Sequence, residues 1–266
     1  ATITSSGVVQ DSITRNGRSE PFELQVSRGQ ITGHAVELIS GISGGVGTSY
    51  TTVWTQNTVY AYLSAASVMK ISSSSANDTA AGTGARTVLI DGLDANYNQI
   101  SETVTLNGQT SVNTVNSYLR VFHLAVLTAG SGEAAAGTIY AGTGVVTTGV
   151  PAVVYAVYTT ANGSTAAVWT VPAGYTAYIV SYASGYSNAT ATANGTVSLC
   201  VRPLGSVFDT ISQLRVSNGV QGWIAFQYPI LVAEKTDIEI RAISSAASAG
   251  VTAEFQLVYV KNDGSL

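Results

Sequence analysis

The sequence predicts an all-β protein: two β-sandwich modules, the C-terminal one jelly-roll-like, preceded by an extended N-terminal arm. Three observations predict it. Within Gly219 to Arg241, Val220, Gly222, Ile224, Phe226, Tyr228 and Ile230 fall on one parity and Gln221, Trp223, Ala225 and Gln227 on the other, and after a turn-like Glu234–Thr236 the alternation resumes at Asp237. That is the pattern of a strand with one buried face. The last segment repeats it, Val251, Ala253, Phe255, Leu257 and Tyr259 alternating with Thr252, Glu254 and Gln256. Strand-like segments also recur through the C-terminal half at the spacing expected of a sandwich.

Composition narrows the function classes. The chain has 266 residues, 45% of them hydrophobic and only 10% charged, against roughly 25% charged in an ordinary soluble protein. Mean hydropathy is +0.26. So few charges over so much small apolar surface imply that another protein covers part of the exterior, in a homo-oligomer or a larger assembly. No run of about 18 apolar residues exists, which argues against a membrane-spanning helix. The start, ATITSSGVVQDSITRNG, has neither the basic nor the apolar region of a secretory signal. Net charge is −4 and the only lysines are Lys70, Lys235 and Lys261, so no basic stripe is available for nucleic acid.

Taken in order, residues 1–50 form the arm. Arg15, Arg18 and Arg28 stand there against Asp11, Glu20, Glu23 and Glu37, Phe22 to Val26 alternates briefly, and Ser40 to Ser49 has the composition of a Gly/Ser linker without a conformation of its own. A first β-sandwich is expected over 51–148. Its strands include Val59–Leu63 and Val68–Ile71, then a polar loop from Ser72 to Gly84, a hairpin turning at Ala95–Asn98, and Ser117–Gly130, whose β-branched content favours strand over helix. The jelly-roll-like domain is expected over 149–266. It has eight strand-like segments, VVYAVYT, TAAVWTV, YTAYIVSYA, TVSLCVR, VFDTISQLRV, VQGWIAFQYPI, DIEIRAI and VTAEFQLVYV, with a Pro-Gly turn at Val171–Gly174.

Reactive chemistry finds little support. Gly41-Ile42-Ser43-Gly44-Gly45 matches the G-x-S-x-G pattern, but that motif works at a sharp strand-to-helix turn, and a linker is expected here. His34 and His123 are isolated and Cys200 lies far from both, so zinc has no ligand set. Asp94, Asn96 and Asn98 have the spacing of a calcium loop, but Gln99 and Thr105 stand where its glycine and bidentate glutamate belong. A hairpin turn explains them equally well. Glu102 shares parity with Ile100, Val104 and Leu106, which points to a strand start or bulge. No catalytic residue, metal or cofactor is assigned. Tyr175, Tyr178, Tyr182 and Tyr186 cluster in one stretch; sheet packing is the ordinary reading, and a rim that binds sugar or protein is the alternative.

The blocks RNGRSEPFELQVSRGQITGH, SSSSANDTAAGTGARTVLIDGLDANYNQISETVTLNG, NSYLRVFHLAVLTAGSG and YPILVAEKTDIEIRA resemble virion structural proteins of tailed bacteriophages, cyanophages especially, and the similarity spans nearly the whole chain. The resemblance implies a non-enzymatic protein of the virion, assembled in the bacterial cytoplasm. In particular it implies a trimeric capsid decoration (cement) protein bound to the major capsid protein, without nucleic acid or membrane. Arg15, Arg18, Glu20, Phe22 and Arg28 are the arm residues expected on the shell. The alternative is a head or tail appendage that recognises host glycan through the tyrosine cluster. A free carbohydrate-binding module ranks third, and copy number per particle separates the first two.

Overall fold

Burial follows the predicted parity along the last strand: Val251, Ala253, Phe255, Leu257 and Tyr259 are buried, while Thr252 and Gln256 are exposed. The structure is a computed structural model that describes residues 20–262 in full; of residues 1–19 it describes only the backbone of four two-residue strands. These are β1 (Thr2–Ile3), β2 (Val9–Gln10), β3 (Thr14–Arg15) and β4 (Arg18–Ser19), paired as two hairpins. Then come α1 (Phe22–Ser27), β5 (His34–Val46) and β6 (Thr51–Thr52).

Next follow β7 (Ser67–Ser73), β8 (Ala85–Leu93), β9 (Gln99–Thr105), β10 (Val112–Tyr118), β11 (Arg120–Ala129), β12 (Ile139–Thr147), β13 (Val150–Thr159) and β14 (Gly163–Ser164). They form one sandwich, with sheet β10-β7-β12-β13-β14 facing sheet β11-β8-β9. Its core gathers Met69, Ile71, Val88, Ile90, Tyr118, Leu124 and Ile139. The rest of the chain is β15 (Val168–Thr170), β16 (Tyr175–Ser187), β17 (Asn194–Arg202), β18 (Asp209–Ser217), β19 (Gln221–Val232), β20 (Asp237–Ser244) and β21 (Ala249–Lys261). Sheet β15-β20-β17-β18, with β6 also on β20, faces sheet β19-β16-β21-β5. Trp169, Ile179, Tyr182, Leu199, Ile240 and Phe255 fill the space between, each large side chain contributing about 1.5–3 kcal/mol by leaving water.

The fold is therefore all-β, but the two sandwiches do not divide at residues 50 and 148. β5 and β6, expected in the arm and first module, belong to the second sandwich, and β13 and β14, expected in the second, complete the first. The first sandwich is thus an insertion. Its two connections run side by side: Trp54 bridges Ala166, Ala167 N–H donates to Val53 O, and Val53 N–H donates to Ile240 O.

Ser40–Val46, expected as part of a linker, is the second half of β5, in register with β21 from Val46↔Ala249 to His34↔Val260. Gly41 serves packing rather than flexibility. A Cβ on Gly41 would lie 2.0 Å from Val53 O and 2.6 Å from Ala167 N, so only glycine lets β5 close over the inserted connections.

Two further expectations change. Phe22–Val26 is helical, not extended: Pro21 presets the entry φ, Leu24 and Gln25 N–H both donate to Pro21 O, and Gly29 at φ +66° ends the helix. Val59–Leu63 is irregular, and it lies where the two sandwiches meet.

Candidate functional site

The densest chemistry lies at that junction. In DIEIR, Asp237, Glu239 and Arg241 alternate with Ile238 and Ile240, the pattern of an outward strand face. Asp237 and Glu239 are instead 3% and 0% exposed, because the polar face of β20 is covered by the inserted sandwich and the segment leading into it. Arg120 on β11 donates through Nε to Asp237 Oδ1 at 2.7 Å and through Nη2 to Oδ2 at 3.1 Å. Thr170 Oγ1 donates to Oδ1 at 2.6 Å, and Arg202 Nη2 to Oδ2 at 2.6 Å. Glu239 accepts from Tyr62 Oη at 3.0 Å, from Thr52 Oγ1, and from Arg241 Nε at 3.0 Å.

Aromatic rings close the network. Arg202 lies 4.1 Å from the Tyr62 ring centroid and 4.5 Å from that of Phe208, and Arg241 lies 4.2 Å from Phe208. Burial would lower the Arg120 guanidinium, but the Asp237 hydrogen bond and charge outweigh it and hold it above its ordinary value. Burial, then Glu239 and Asp237, push the Tyr62 phenol well up. Each carboxylate here is saturated with donors, an arrangement suited to clamping rather than proton transfer.

A cleft of about 590 Å³ opens between the two sandwiches, with Glu37 of β5 on one wall and Asp91 of β8 and His123 of β11 on the other. His123 Nδ1 is 3.9 Å from Asp91 Oδ2. Burial first, and the Asp91 charge second, raise the Glu37 carboxyl above its usual range. Burial also raises Asp91, against the opposing pull of His123, and lowers His123. Among the described residues no three or more His, Cys, Asp or Glu side chains gather to hold a metal.

The arm residues divide. The side chains of Arg15 and Arg18 lie outside the described residues, although their backbones pair directly. Glu20 is ion-paired to Arg28, and Gln25 Nε2 donates to Glu20 O at 2.7 Å, so both ends of α1 are tied together. Phe22 is 51% exposed and its ring meets His34 edge-on, and Leu24 is 47% exposed, whereas Val26 is buried.

Of the four tyrosines considered for a binding rim, two are buried and two partly exposed. All four lie in β16, a central strand of its sheet. Tyr182 and Tyr186 are buried, their hydroxyls against Val197 O (3.3 Å) and Ser244 Oγ (2.6 Å). Burial pushes the Tyr182 phenol up to about 12. Tyr175 packs edge-on against Tyr259, and Tyr178 is half-buried. The reason is parity: even-numbered residues after the β16 bulge face the core.

The remaining motifs resolve locally. Ser43 of the G-x-S-x-G match is 1% exposed within β5 and donates to Asn57 Oδ1 at 2.6 Å. Asp94 Oδ1 accepts from Asn96 and Asn98 N–H at 2.8 and 2.9 Å, a hairpin turn. Glu102 accepts from Val115 and Asn116 N–H at 2.9 and 2.8 Å, inside the irregularity where β10 leaves register with β7. Cys200 is buried, and burial raises its thiol.

Sequence reasoning missed Asp78. Inside the polar loop it is fully buried and accepts from Ser73 Oγ, Ala85 N, Ala136 N and Gly137 N at 2.5–3.0 Å. Its only signal was an acid flanked by Ser, Asn and Thr.

No protein-family model matches the chain, and no curated protein does. Among solved structures, a likeness is found to the structure of infectious bursal disease virus Gx strain, at 10% identity and a TM-score of 0.25, covering 88% of this chain and 73% of that one. Another is to the infectious bursal disease virus VP2 subviral particle, at 8% identity and a TM-score of 0.24, covering 88% and 74%. Scores this low establish neither a common fold nor a common role.

Proposed function

We propose that this chain is a non-enzymatic virion structural protein, a capsid decoration (cement) protein that acts as a homotrimer on the major capsid protein of a tailed phage. The observation that carries the reading is α1. It is anchored by Val26 and by the Glu20–Arg28 pair, yet it turns Phe22 and Leu24 outward where the arm meets the second sandwich. A rigid helix presenting two large apolar side chains is a docking element, and α1 lies in a sequence block that resembles phage virion proteins. The clamp at Asp237 supports the same reading, because two sandwiches locked together transmit load instead of hinging. Binding only the assembled shell would stabilise it by mass action, and several contacts per oligomer would multiply the effect. Host glycan recognition by an appendage remains the second reading, now without Tyr182 and Tyr186 as contacts.

The test is the location and copy number of the chain on purified particles by cryo-electron microscopy. Hundreds of copies between capsomers, with the arm and α1 on the shell, are expected. Density confined to the tail or one vertex overturns the cement reading.

A further inference from the structure

The outer face of sheet β19-β16-β21-β5 carries a groove that none of the motifs above accounts for. Two rows of residues cross all four strands in register: Trp223, Ala183, Glu254 and Ser40, then Gln221, Gly185, Thr252 and Ile42. Small residues at the centre make a floor, and Trp223 stands at one edge, 68% exposed. Asn162, from the β13–β14 turn of the inserted sandwich, overhangs the other side. The result is two adjoining hollows of about 500 and 460 Å³, within the range of small-ligand sites.

The lining specifies the ligand. Among the described residues, the side chains of Gln221, Thr252, Glu254 and Asn162 have no hydrogen-bond partner in the protein, so donors and acceptors both await a ligand. No Lys, Arg or His lines either hollow, and Glu254 supplies the one charge, which disfavours phosphate, sulfate or nucleic acid. An indole face above a shallow floor packs well against the C–H face of a pyranose ring, while amide, hydroxyl and carboxylate groups match its hydroxyls. We infer that this groove binds a neutral oligosaccharide, lying across the strands with one ring against Trp223. The inference is independent of the shell reading: a decoration protein with this face outward would also hold the particle to surface polysaccharide.

The full chain is titrated with a panel of neutral hexasaccharides built from glucose, mannose, galactose or N-acetylglucosamine, read by acrylamide quenching of tryptophan fluorescence. Trp54 and Trp169 are each 3% exposed, so the quenchable signal belongs to Trp223. At least one sugar is expected to protect it saturably. Trp223→Ala, which removes an exposed ring and leaves the core intact, is followed by calorimetric titration and weakens binding about tenfold or more. Gln221→Ala weakens it with an unchanged melting temperature. The inference is overturned if no sugar in the panel binds, or if binding survives Trp223→Ala. It is equally overturned if the chain sediments as an oligomer that Trp223→Ala dissociates while sugars have no effect, since the face is then an interface between copies.

Discussion

Arg120 and Asp237, 117 residues apart, form a two-point ion pair across the junction of the sandwiches, with side chains only 7% and 4% exposed. One partner comes from the inserted module and the other from the host, so the pair sets their relative position. Arg120 also donates to the Leu63 and Leu119 carbonyls at 3.0 and 2.8 Å, pinning the irregular entry segment.

Arg120→Met is expected to destabilise the chain by about 3–5 kcal/mol, because it strips a buried carboxylate of one cation and leaves two carbonyls without a donor. Urea unfolding followed by fluorescence and by circular dichroism measures it. A second expected effect is separation of the single transition into two, as the sandwiches lose their coupling. An unchanged midpoint would show that Arg202 alone neutralises Asp237.

Glu37 predicts a pH dependence. Its carboxyl is raised by burial and then by Asp91, so from its ordinary 4.5 up to its folded value the folded chain keeps a proton that the unfolded chain releases. Stability therefore falls as pH rises through that window. His123 acts in the opposite sense: burial lowers it, so stability falls as pH drops below its ordinary 6.5. Glu37→Gln should flatten the acid-side slope and raise the urea midpoint at neutral pH. Midpoints across about pH 4–8 check both signs.

Gly41→Val tests whether Gly41 of β5 is there for packing. With Val53 O at 2.0 Å from the new Cβ, β5 must move off the inserted connections, at a cost of about 1–3 kcal/mol or more. Gly44, with nothing within 4 Å of an added Cβ, is the control, and Gly44→Val should leave the melting temperature nearly unchanged. Equal effects at the two sites would contradict the packing explanation.

Replacing Phe22 and Leu24 together by Ala removes exposed side chains, so stability should shift by no more than about 0.5 kcal/mol. Rebinding to particles stripped of this protein should fail. Retained occupancy would move the shell contact away from α1.

What the sequence by itself determined was the β character. A two-residue period needs only contrast between two faces, and in the last strand, the Asp94 turn and β16 that contrast was written in neighbouring residues. It did not determine the place of Glu102: the acid sits within β9 in unbroken register with Ile90, and the irregularity it serves is in the neighbouring β10, whose Val115 and Asn116 N–H groups it accepts from. The tertiary structure decided what covers each face. Asp237 and Glu239 alternate with Ile238 and Ile240 like residues of a solvated face, yet the inserted sandwich and the segment leading into it, far away in sequence, lie over them through Arg120 and Tyr62, and periodicity carries no information about a distant cover. It decided, too, that Ser40–Val46 is a strand, because glycine in an isolated chain reports freedom whereas Gly41 in the fold reports a contact too close for a Cβ. The buried Tyr182 and Tyr186 follow from the same physics: a tyrosine's polar end suggests a surface until a carbonyl and a serine, supplied by other strands, satisfy it inside.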